Sequence, residues 1–213
     1  DMPYNAGQWL KFTGVSGEFS TVVTSAFTAS KEISFKFIRC KDGDNINYPV
    51  VEIGTQVWMA SNLRTTKYRN GDLIGTTTPQ TLNIATETSP KYEWIYYGYQ
   101  ITVDPIIYGR LYTWFAATDT RGVCPTGWHL PSQTEWNTLF TNLGGSAVAG
   151  GKLKETGFAH WTSPNTDATN ISGFTALPNG SRSPNGTCMN YTKFNYLWSS
   201  IERDNTYAWY CGA

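Results

Sequence analysis

Apolar and polar residues alternate with the period of a β-strand near the start of this chain. Between residues 33 and 37, Ile and Phe side chains alternate with Ser and Lys, as in a half-buried strand. Apolar runs at residues 9–12 and 19–23 predict two earlier strands. Residues 1–41 are therefore expected to form a β extension, either packed on the domain that follows or left from a preceding β-domain.

Two further hairpins are predicted on the same grounds. Residues 42–45 read Asp-Gly-Asp-Asn, which favours a tight turn, and the apolar segments 48–53 and 56–59 flank Gly-Thr. Near the end of the chain, residues 196–201 alternate, a polar turn follows, and 206–210 alternate again. The sequence thus predicts one hairpin early and one late in the main domain.

Helical periodicity occurs in two places. Leu111, Trp114, Phe115 and Thr118 recur at helical spacing, which predicts a helix over 109–118.

The second helix, over 133–143, has a clear start. Ser132 and Glu135 form a capping box, in which each side chain accepts a hydrogen bond from the other residue's amide. Leu130 is spaced to pack on Trp136 as a hydrophobic staple, and Pro131 limits extension backwards. Two helices followed by strands indicate the α+β class.

Composition narrows the functional classes. The 16 basic and 16 acidic residues balance and are scattered, which argues against a nucleic-acid partner. With 9 Trp and 13 Tyr but only 15% charged residues, the profile is typical of a loop-rich extracellular domain. No apolar run approaches the roughly 20 residues of a membrane span. No signal peptide precedes Asp1, so export is inferred rather than read from the sequence.

The four cysteines, an even number, are expected to be oxidised in part in an extracellular protein. Cys188 and Cys211 flank the late hairpin, so a bridge between them is the easiest to build. Cys124 would then pair with Cys40 or remain free.

Several segments together resemble one family. The chain is similar to the Fibrobacter succinogenes major paralogous domain through successive blocks at residues 53–63, 108–114, 124–136, 149–155, 173–178 and 198–200. The resemblance covers about 42–213 and implies a C-type-lectin-like fold. It also implies an exported or surface protein of the kind found in Bacteroidetes and Fibrobacter.

Family members usually end in a further strand carrying Arg-Cys-Val, which the resemblance makes the natural partner of Cys124. This sequence ends at Ala213 before such a strand. The resemblance therefore predicts a lectin-like domain without its last strand.

Catalytic and metal chemistry find little support in the sequence. His129 and His160 are the only histidines, and no third group can be assigned to orient either one in a hydrolase triad. The cysteines show no zinc-binding spacing. The motifs of calcium-dependent sugar binding are missing, and 42–46 departs from an EF-hand loop at its fifth position. We expect a non-enzymatic protein without cofactor or metal.

What remains is a binding surface. The resemblance places ligand binding in the long loop region, here about 144–195, which is rich in amides and aromatics suited to sugar rings or protein edges. The candidate ligand-binding residues are Trp161, Asn165, Asp167, Asn170, Asn179, Arg182, Asn185 and Tyr191. For any one of them, a role in the core or in a turn is the simpler interpretation.

A second candidate patch comprises Trp94, Tyr96, Tyr97 and Tyr99, whose alternation equally suits a buried strand. The functional hypothesis is a surface recognition or adhesion module that binds a glycan or a protein. The alternative is a structural or capping module of a surface filament or lipoprotein assembly that binds no small ligand.

Overall fold

A computed structural model of the protein describes residues 5–98 and 101–212. It contains both sheets and helices, so the α+β prediction is confirmed. The largest sheet has four strands in the order β1-β2-β3-β4, built from two antiparallel hairpins joined by a parallel pairing of β2 with β3. Its strands are β1 (Trp9–Ser16), β2 (Phe19–Ala26), β3 (Val50–Ile53) and β4 (Gln56–Met59).

The strand predicted at 33–37 is not formed. This segment runs beside the sheet and is held by side-chain contacts, because the Thr21 hydroxyl donates to the Lys36 carbonyl at 2.8 Å. The Phe35 ring lies so close to Gly14 that a Cβ there would come within 2.5 Å of it. Alternation therefore correctly indicated one packed face, but the backbone pairs with no neighbouring strand in the described ranges.

The middle of the chain is built from short elements. They are β5 (Glu93–Trp94), β6 (Tyr97–Gly98), β7 (Ile101–Thr102), α1 (Pro105–Tyr108), β8 (Leu111–Tyr112) and α2 (Trp114–Ala117).

The helix predicted over 109–118 is thus wrong in its first half. Gly109 adopts a positive φ of 72° and ends α1, and Tyr112 pairs with Glu93 in a two-stranded ladder. The Thr113 hydroxyl then accepts from the Ala116 amide, which caps the single turn of α2.

The helix predicted over 133–143 is confirmed as α3 (Gln133–Asn142). The Ser132 hydroxyl accepts from the Glu135 amide at 3.3 Å, and a Glu135 carboxylate oxygen accepts from the Ser132 amide at 2.8 Å. The capping box is therefore present with both of its hydrogen bonds.

The chain after α3 adds a helix that the sequence did not predict. Its elements are α4 (Ser146–Leu153), β9 (Ser181–Arg182), β10 (Cys188–Met189), β11 (Tyr196–Glu202) and β12 (Ala208–Gly212). The pair of glycines in α4 masked its periodicity. The late hairpin is confirmed, with β11 and β12 antiparallel and a register irregularity between Trp198 and Glu202.

The main core lies between the four-stranded sheet and helices α3 and α4. The Trp58 and Trp136 rings are 4.8 Å apart, and Phe174 meets Trp58 edge-on at 6.1 Å. Val22 from the N-terminal hairpin is buried in the same cluster, and Leu197 packs against it from β11. The early and late parts of the chain thus share one core.

Candidate functional site

The structure buries the leading aromatic candidate in the loop region. The Trp161 side chain is only 4% exposed, and its indole nitrogen donates to the Ala176 carbonyl at 3.1 Å. The Lys154 ammonium lies 5.3 Å from the ring centroid. Trp161 therefore anchors the loop region to the core and presents little surface to a ligand.

The polar candidates of the same region close turns. The Asn165 side-chain amide donates to the backbone carbonyls of Glu155 and Gly157, and Asn170 exchanges hydrogen bonds with Thr175. The side-chain oxygen of Asn185 accepts from the Thr187 amide. Asn170 and Asp167 have positive φ, as the turn interpretation anticipated. Asp167 is exposed.

Three remaining candidates hold separate segments together. The side-chain oxygen Oδ1 of Asn179 accepts from the Tyr196 amide at 3.1 Å. The Arg182 guanidinium donates to the carbonyls of Gln80 and Leu82 and lies 4.0 Å from the Trp94 ring centroid. Tyr191 packs with Tyr96 and Tyr108 at centroid distances of 5.0 and 5.1 Å.

The second predicted patch is also divided. Trp94 and Tyr96 are buried, whereas Tyr97 is 45% exposed, and Tyr99 lies outside the described residues. The Trp94 indole donates to the Thr77 hydroxyl at 2.8 Å. Within the described residues, the patch offers one exposed ring.

The predicted bridge between Cys188 and Cys211 is not formed, since all four cysteines are free thiols. The late hairpin begins only at Tyr196, so Cys188 is not one of its ends; it lies in β10, which pairs with β9. Cys211 lies opposite Leu197 in β12 and packs on the main core. Burial raises the pKa of Cys211 to about 12 and that of Cys124 to about 11, which keeps both protonated.

The two histidines each contact a carboxylate. His129 Nε2 lies 2.7 Å from Glu135 Oε1, and His160 Nδ1 lies 2.7 Å from Glu155 Oε2. Although burial opposes the change, hydrogen bonds from Ser132 and His129 lower the pKa of Glu135. The Ser132 hydroxyl donates to Glu135 Oε2 at 2.9 Å, so the carboxylate stands between the serine and the imidazole.

The described residues enclose a cleft of about 1570 Å³, which is bordered by the four-stranded sheet and by the pair of strands β11 and β12. All four residues of β4 line it, as do Tyr196, Leu197 and Trp198 of β11 and Tyr210 of β12. Residues 110–115 add Tyr112, Trp114 and Phe115, and the core rings Trp136 and Phe174 also contribute. We refer to this space as the central cleft.

β11 is fixed beside the central cleft by two indole hydrogen bonds. Trp198 Nε1 donates to the Tyr112 carbonyl at 2.8 Å, and Trp114 Nε1 donates to the Ser199 carbonyl at 3.0 Å. These bonds join β11 to the segment that contains β8 and α2. Two of the elements that line the cleft are therefore joined to each other by hydrogen bonds.

Several residues that line the central cleft carry buried polar atoms without a hydrogen-bond partner in the described part of the chain. They are Gln56 Oε1, Trp58 Nε1, Ser61 Oγ, Arg110 Nε and Trp136 Nε1. Leaving such a group unpaired costs about 1–3 kcal/mol. These atoms are shielded from the cleft as well as from bulk solvent, so they belong to the packed walls behind its surface.

Of the predicted binding residues, Asn179 and Arg182 line the central cleft and the other six do not. The residues predicted to form a binding surface over 144–195 thus lie in several separate places. A signal for the cleft was present in the sequence, because five of the blocks that carry the family resemblance contribute lining residues. Blocks far apart in sequence that gather around one space indicate a shared structural or functional purpose.

The described residues contain neither a cluster of metal ligands nor a membrane-spanning helix. No group of three or more His, Cys, Asp and Glu side chains is arranged there to hold a metal ion. None of the helices in residues 5–98 and 101–212 has the length and apolar character needed to cross a bilayer.

Comparison with known proteins identifies the domain. Searches of curated proteins and of solved structures returned no match. The model of the Fibrobacter succinogenes major domain matches residues 51–212, a span that includes most of the residues around the central cleft. The chain therefore belongs to the Fibrobacter succinogenes major domain family.

Proposed function

We propose that this protein is a non-enzymatic recognition or adhesion module, exported to the bacterial surface, which binds a glycan or a protein partner in the central cleft. The carrying observation is the cleft itself, a large space lined by aromatic side chains from several separate elements. Within this proposal the domain has a C-type-lectin-like arrangement. Its binding site lies in the cleft rather than in the loop region at 144–195.

Binding rather than catalysis is favoured by the surroundings of the two histidines. Glu135 separates the Ser132 hydroxyl from the His129 imidazole, so this histidine has no direct path to the serine proton. His160 is held by Glu155 and meets the Tyr108 ring edge-on at 5.4 Å. Both imidazoles therefore have structural partners.

The central cleft suits either ligand class by its chemistry. Aromatic rings stack on sugar faces and also pack against apolar side chains, and a few polar groups in such a pocket orient the ligand. The scattered and balanced charges of the chain provide no strong electrostatic steering. We therefore expect recognition to depend on fit and hydrogen bonding, with weak dependence on salt.

The test is a glycan array and a peptide display screen with matched variants. Tyr210 and Met189 line the cleft and are 57% and 41% exposed, so Tyr210→Ala combined with Met189→Ala should weaken binding at least tenfold without unfolding. The control, Ile106→Ala combined with Val148→Ala, removes exposed apolar side chains outside the cleft and should bind normally. Equal binding by both double variants would contradict the proposal, and no binding in either screen would favour a structural or capping module.

A further inference from the structure

Two of the four thiols lie in neighbouring parts of the core. Cys40 is buried in a small cluster around Tyr48, and Leu63 packs against that cluster. Cys124 packs against a second cluster, which contains Tyr68, and Leu63 packs against this one as well. Leu63 therefore contacts the surroundings of both cysteines.

Hydrogen bonds join the backbones beside the two cysteines. The Trp128 indole nitrogen donates to the carbonyl of Arg39 at 2.8 Å, and the Trp128 ring packs against the cluster that contains Cys40. The Arg69 guanidinium donates to the carbonyls of Cys124 and Trp128 at 2.8 and 3.2 Å. One indole and one guanidinium thus connect the residue before Cys40 to the turn that follows Cys124.

The two thiols also interact electrostatically. Burial raises the pKa of Cys40 most, and the negative charge of a Cys124 thiolate raises it further. Such a charge effect weakens with distance, so it agrees with the proximity that the packing indicates. Burial alone, by contrast, raises the pKa of Cys211. Cys40 and Cys124 are therefore the pair that packing, hydrogen bonding and charge all place together.

We propose that Cys40 and Cys124 form a disulfide bond as the protein folds in an oxidising compartment, and that this bond fastens the N-terminal hairpin of β1 and β2 to the region matched by the family model. Cys40 precedes that region, and Cys124 lies within it. The inference goes beyond the proposed function and rests on it only for export, which brings the chain into a compartment where disulfides persist.

The connection that the bond reinforces is loosely held. Residues 28–39, which link β2 to Cys40, form no backbone–backbone hydrogen bond with the described chain. Side-chain donors from β2 and from the turn after Cys124 hold this link at the Lys36 and Arg39 carbonyls. A bond from Cys40 to Cys124 closes a loop of about 85 residues, and in the chain-entropy model the constraint stabilises the fold more as the loop lengthens.

The oxidant is a disulfide, either of a small molecule such as oxidised glutathione or of a thiol oxidoreductase. The Cys124 thiolate attacks one sulfur of that disulfide, forms a mixed disulfide and releases one oxidant thiolate. The Cys40 thiolate then attacks the Cys124 sulfur, which forms the internal bond and releases the second oxidant thiolate. Two protein thiols are thereby oxidised, one oxidant disulfide is reduced, and the two protons pass to the oxidant's thiolates. Cys124 reacts first because it lines the central cleft, whereas Cys40 is only 1% exposed.

Burial determines when the bond forms. The raised pKa values of Cys40 and Cys124 leave few thiolates in the folded protein at neutral pH, and the thiolate is the attacking species. In the unfolded chain both thiols have an ordinary pKa of about 8.5, so they react faster there. We therefore expect rapid bond formation during refolding and slow formation when the folded, reduced protein meets the same oxidant.

The test is refolding of the reduced, urea-unfolded chain in a glutathione redox buffer, followed by alkylation with N-ethylmaleimide in urea and peptide mapping without reduction. We expect one linked peptide pair that contains Cys40 and Cys124, with Cys188 and Cys211 alkylated. The bond should raise the urea midpoint of the wild type above that of its reduced form. Cys188→Ala combined with Cys211→Ala is the matched control and should keep both the link and this shift. Cys124→Ala should leave Cys40 alkylated and should have the same midpoint in oxidising and reducing buffer.

Recovery of Cys40 and Cys124 as alkylated thiols after refolding in the oxidising buffer would overturn the inference, as would a link from either one to Cys188 or Cys211. A link between Cys40 and Cys124 that leaves the urea midpoint unchanged would overturn the fastening role. The wild-type peptide map needs no variant, so a Cys124→Ala chain that fails to fold leaves the test intact. Neither measurement involves a ligand, so the glycan and peptide screens test the proposed function independently.

Discussion

At the scale of single residues, Ser132 offers a direct test of how α3 begins. Its hydroxyl accepts from the Glu135 amide, so Ser132→Ala should cost about 1 kcal/mol in the free energy of unfolding. The matched control is Thr138→Ala in the same helix, whose exposed hydroxyl bonds back to the Thr134 carbonyl and caps nothing. Urea unfolding should show a lower midpoint for the first variant alone, and an unchanged midpoint would refute the capping role.

Asp119 should make stability depend on acid. Its carboxylate is nearly buried and accepts from the Arg121 guanidinium at 2.9 and 3.0 Å and from Lys91 at 2.8 Å. The Arg121 hydrogen bonds lower the pKa of Asp119 most, and Lys91 adds to this. A carboxyl with a depressed folded pKa stabilises the fold above its unfolded pKa of about 3.9, and this contribution disappears as pH falls through the folded value.

We therefore expect Asp119→Asn to lose about 1–3 kcal/mol at pH 7, the cost of breaking hydrogen bonds to charged partners. The gap between wild type and variant should narrow progressively below about pH 4, because the unfolded wild-type carboxyl takes up a proton there while the folded one stays ionised until the pH approaches its depressed pKa. Urea unfolding at a series of pH values measures both effects, with Glu32→Gln as an exposed carboxylate control. A gap that stays constant from pH 7 to pH 2 would contradict the assignment.

Contacts local in sequence were the ones that could be predicted at this scale. The Ser132 and Glu135 capping box spans one helical turn, so the sequence alone identifies both partners. Arg182 instead bonds to the Gln80 carbonyl across a long sequence separation, and Asn165 bonds to Glu155. The residue types in the loop region suggested ligand contacts. Their side-chain donors bond instead to carbonyl groups elsewhere in the chain, and no local sequence pattern encodes those partners.

At the scale of elements, helix α4 shows packing that opposes intrinsic propensity. Replacing a helical glycine by alanine normally gains up to about 1 kcal/mol. A Cβ at Gly151, however, would meet the Asp167 carbonyl oxygen at 2.4 Å, and that atom belongs to the backbone. We expect Gly151→Ala to lower the unfolding midpoint, because either the helix or the Asp167 turn must move.

The control is Val148→Ala, at a half-exposed position of the same helix, which should leave the midpoint unchanged or slightly raised. Differential scanning calorimetry compares the two variants directly. A stabilised Gly151→Ala protein would show that α4 and the Asp167 turn are not in close contact.

Elements were predictable where the pattern and its end signals agreed. The hairpins around Gly54 and before Gly212 combine alternation with a turn, and both form. The strand at 33–37 had alternation without a pairing partner, and the helix at 109–118 contained Gly109, whose positive φ breaks it. Periodicity reports which side of a segment is buried, whereas the backbone partner is chosen by the rest of the fold.

At the scale of the whole molecule, the central cleft could not be deduced from any one segment. It arises because β4 and β11 belong to different sheets. The sequence pattern indicates each hairpin, but it does not indicate how the two hairpins are placed relative to each other. The family blocks surround it, so they mark its lining once the fold is known. Recognition of the family was therefore achievable from the sequence, while the position of the cleft required the three-dimensional arrangement.

The N-terminal hairpin should unfold together with the family region. The family model begins at residue 51, yet β2 pairs with β3, and Val22 is buried in the cluster that contains Trp58 and Trp136. Gly173 reinforces this junction, since a Cβ there would lie 2.9 Å from a Val22 methyl carbon. The hairpin thus closes the core of a domain that it precedes in sequence.

Val22→Ala should accordingly destabilise the whole protein by about 1.5 kcal/mol, the value of two buried methyl groups at about 0.8 kcal/mol each. Tryptophan fluorescence and far-ultraviolet circular dichroism should report one shared transition at a lower urea midpoint, because the core is common to both parts. The control is Val15→Ala, which truncates an exposed valine of the same hairpin and should leave the midpoint unchanged. Two separate transitions, with only the weaker one shifted by Val22→Ala, would instead make the hairpin an independent unit resting on the domain.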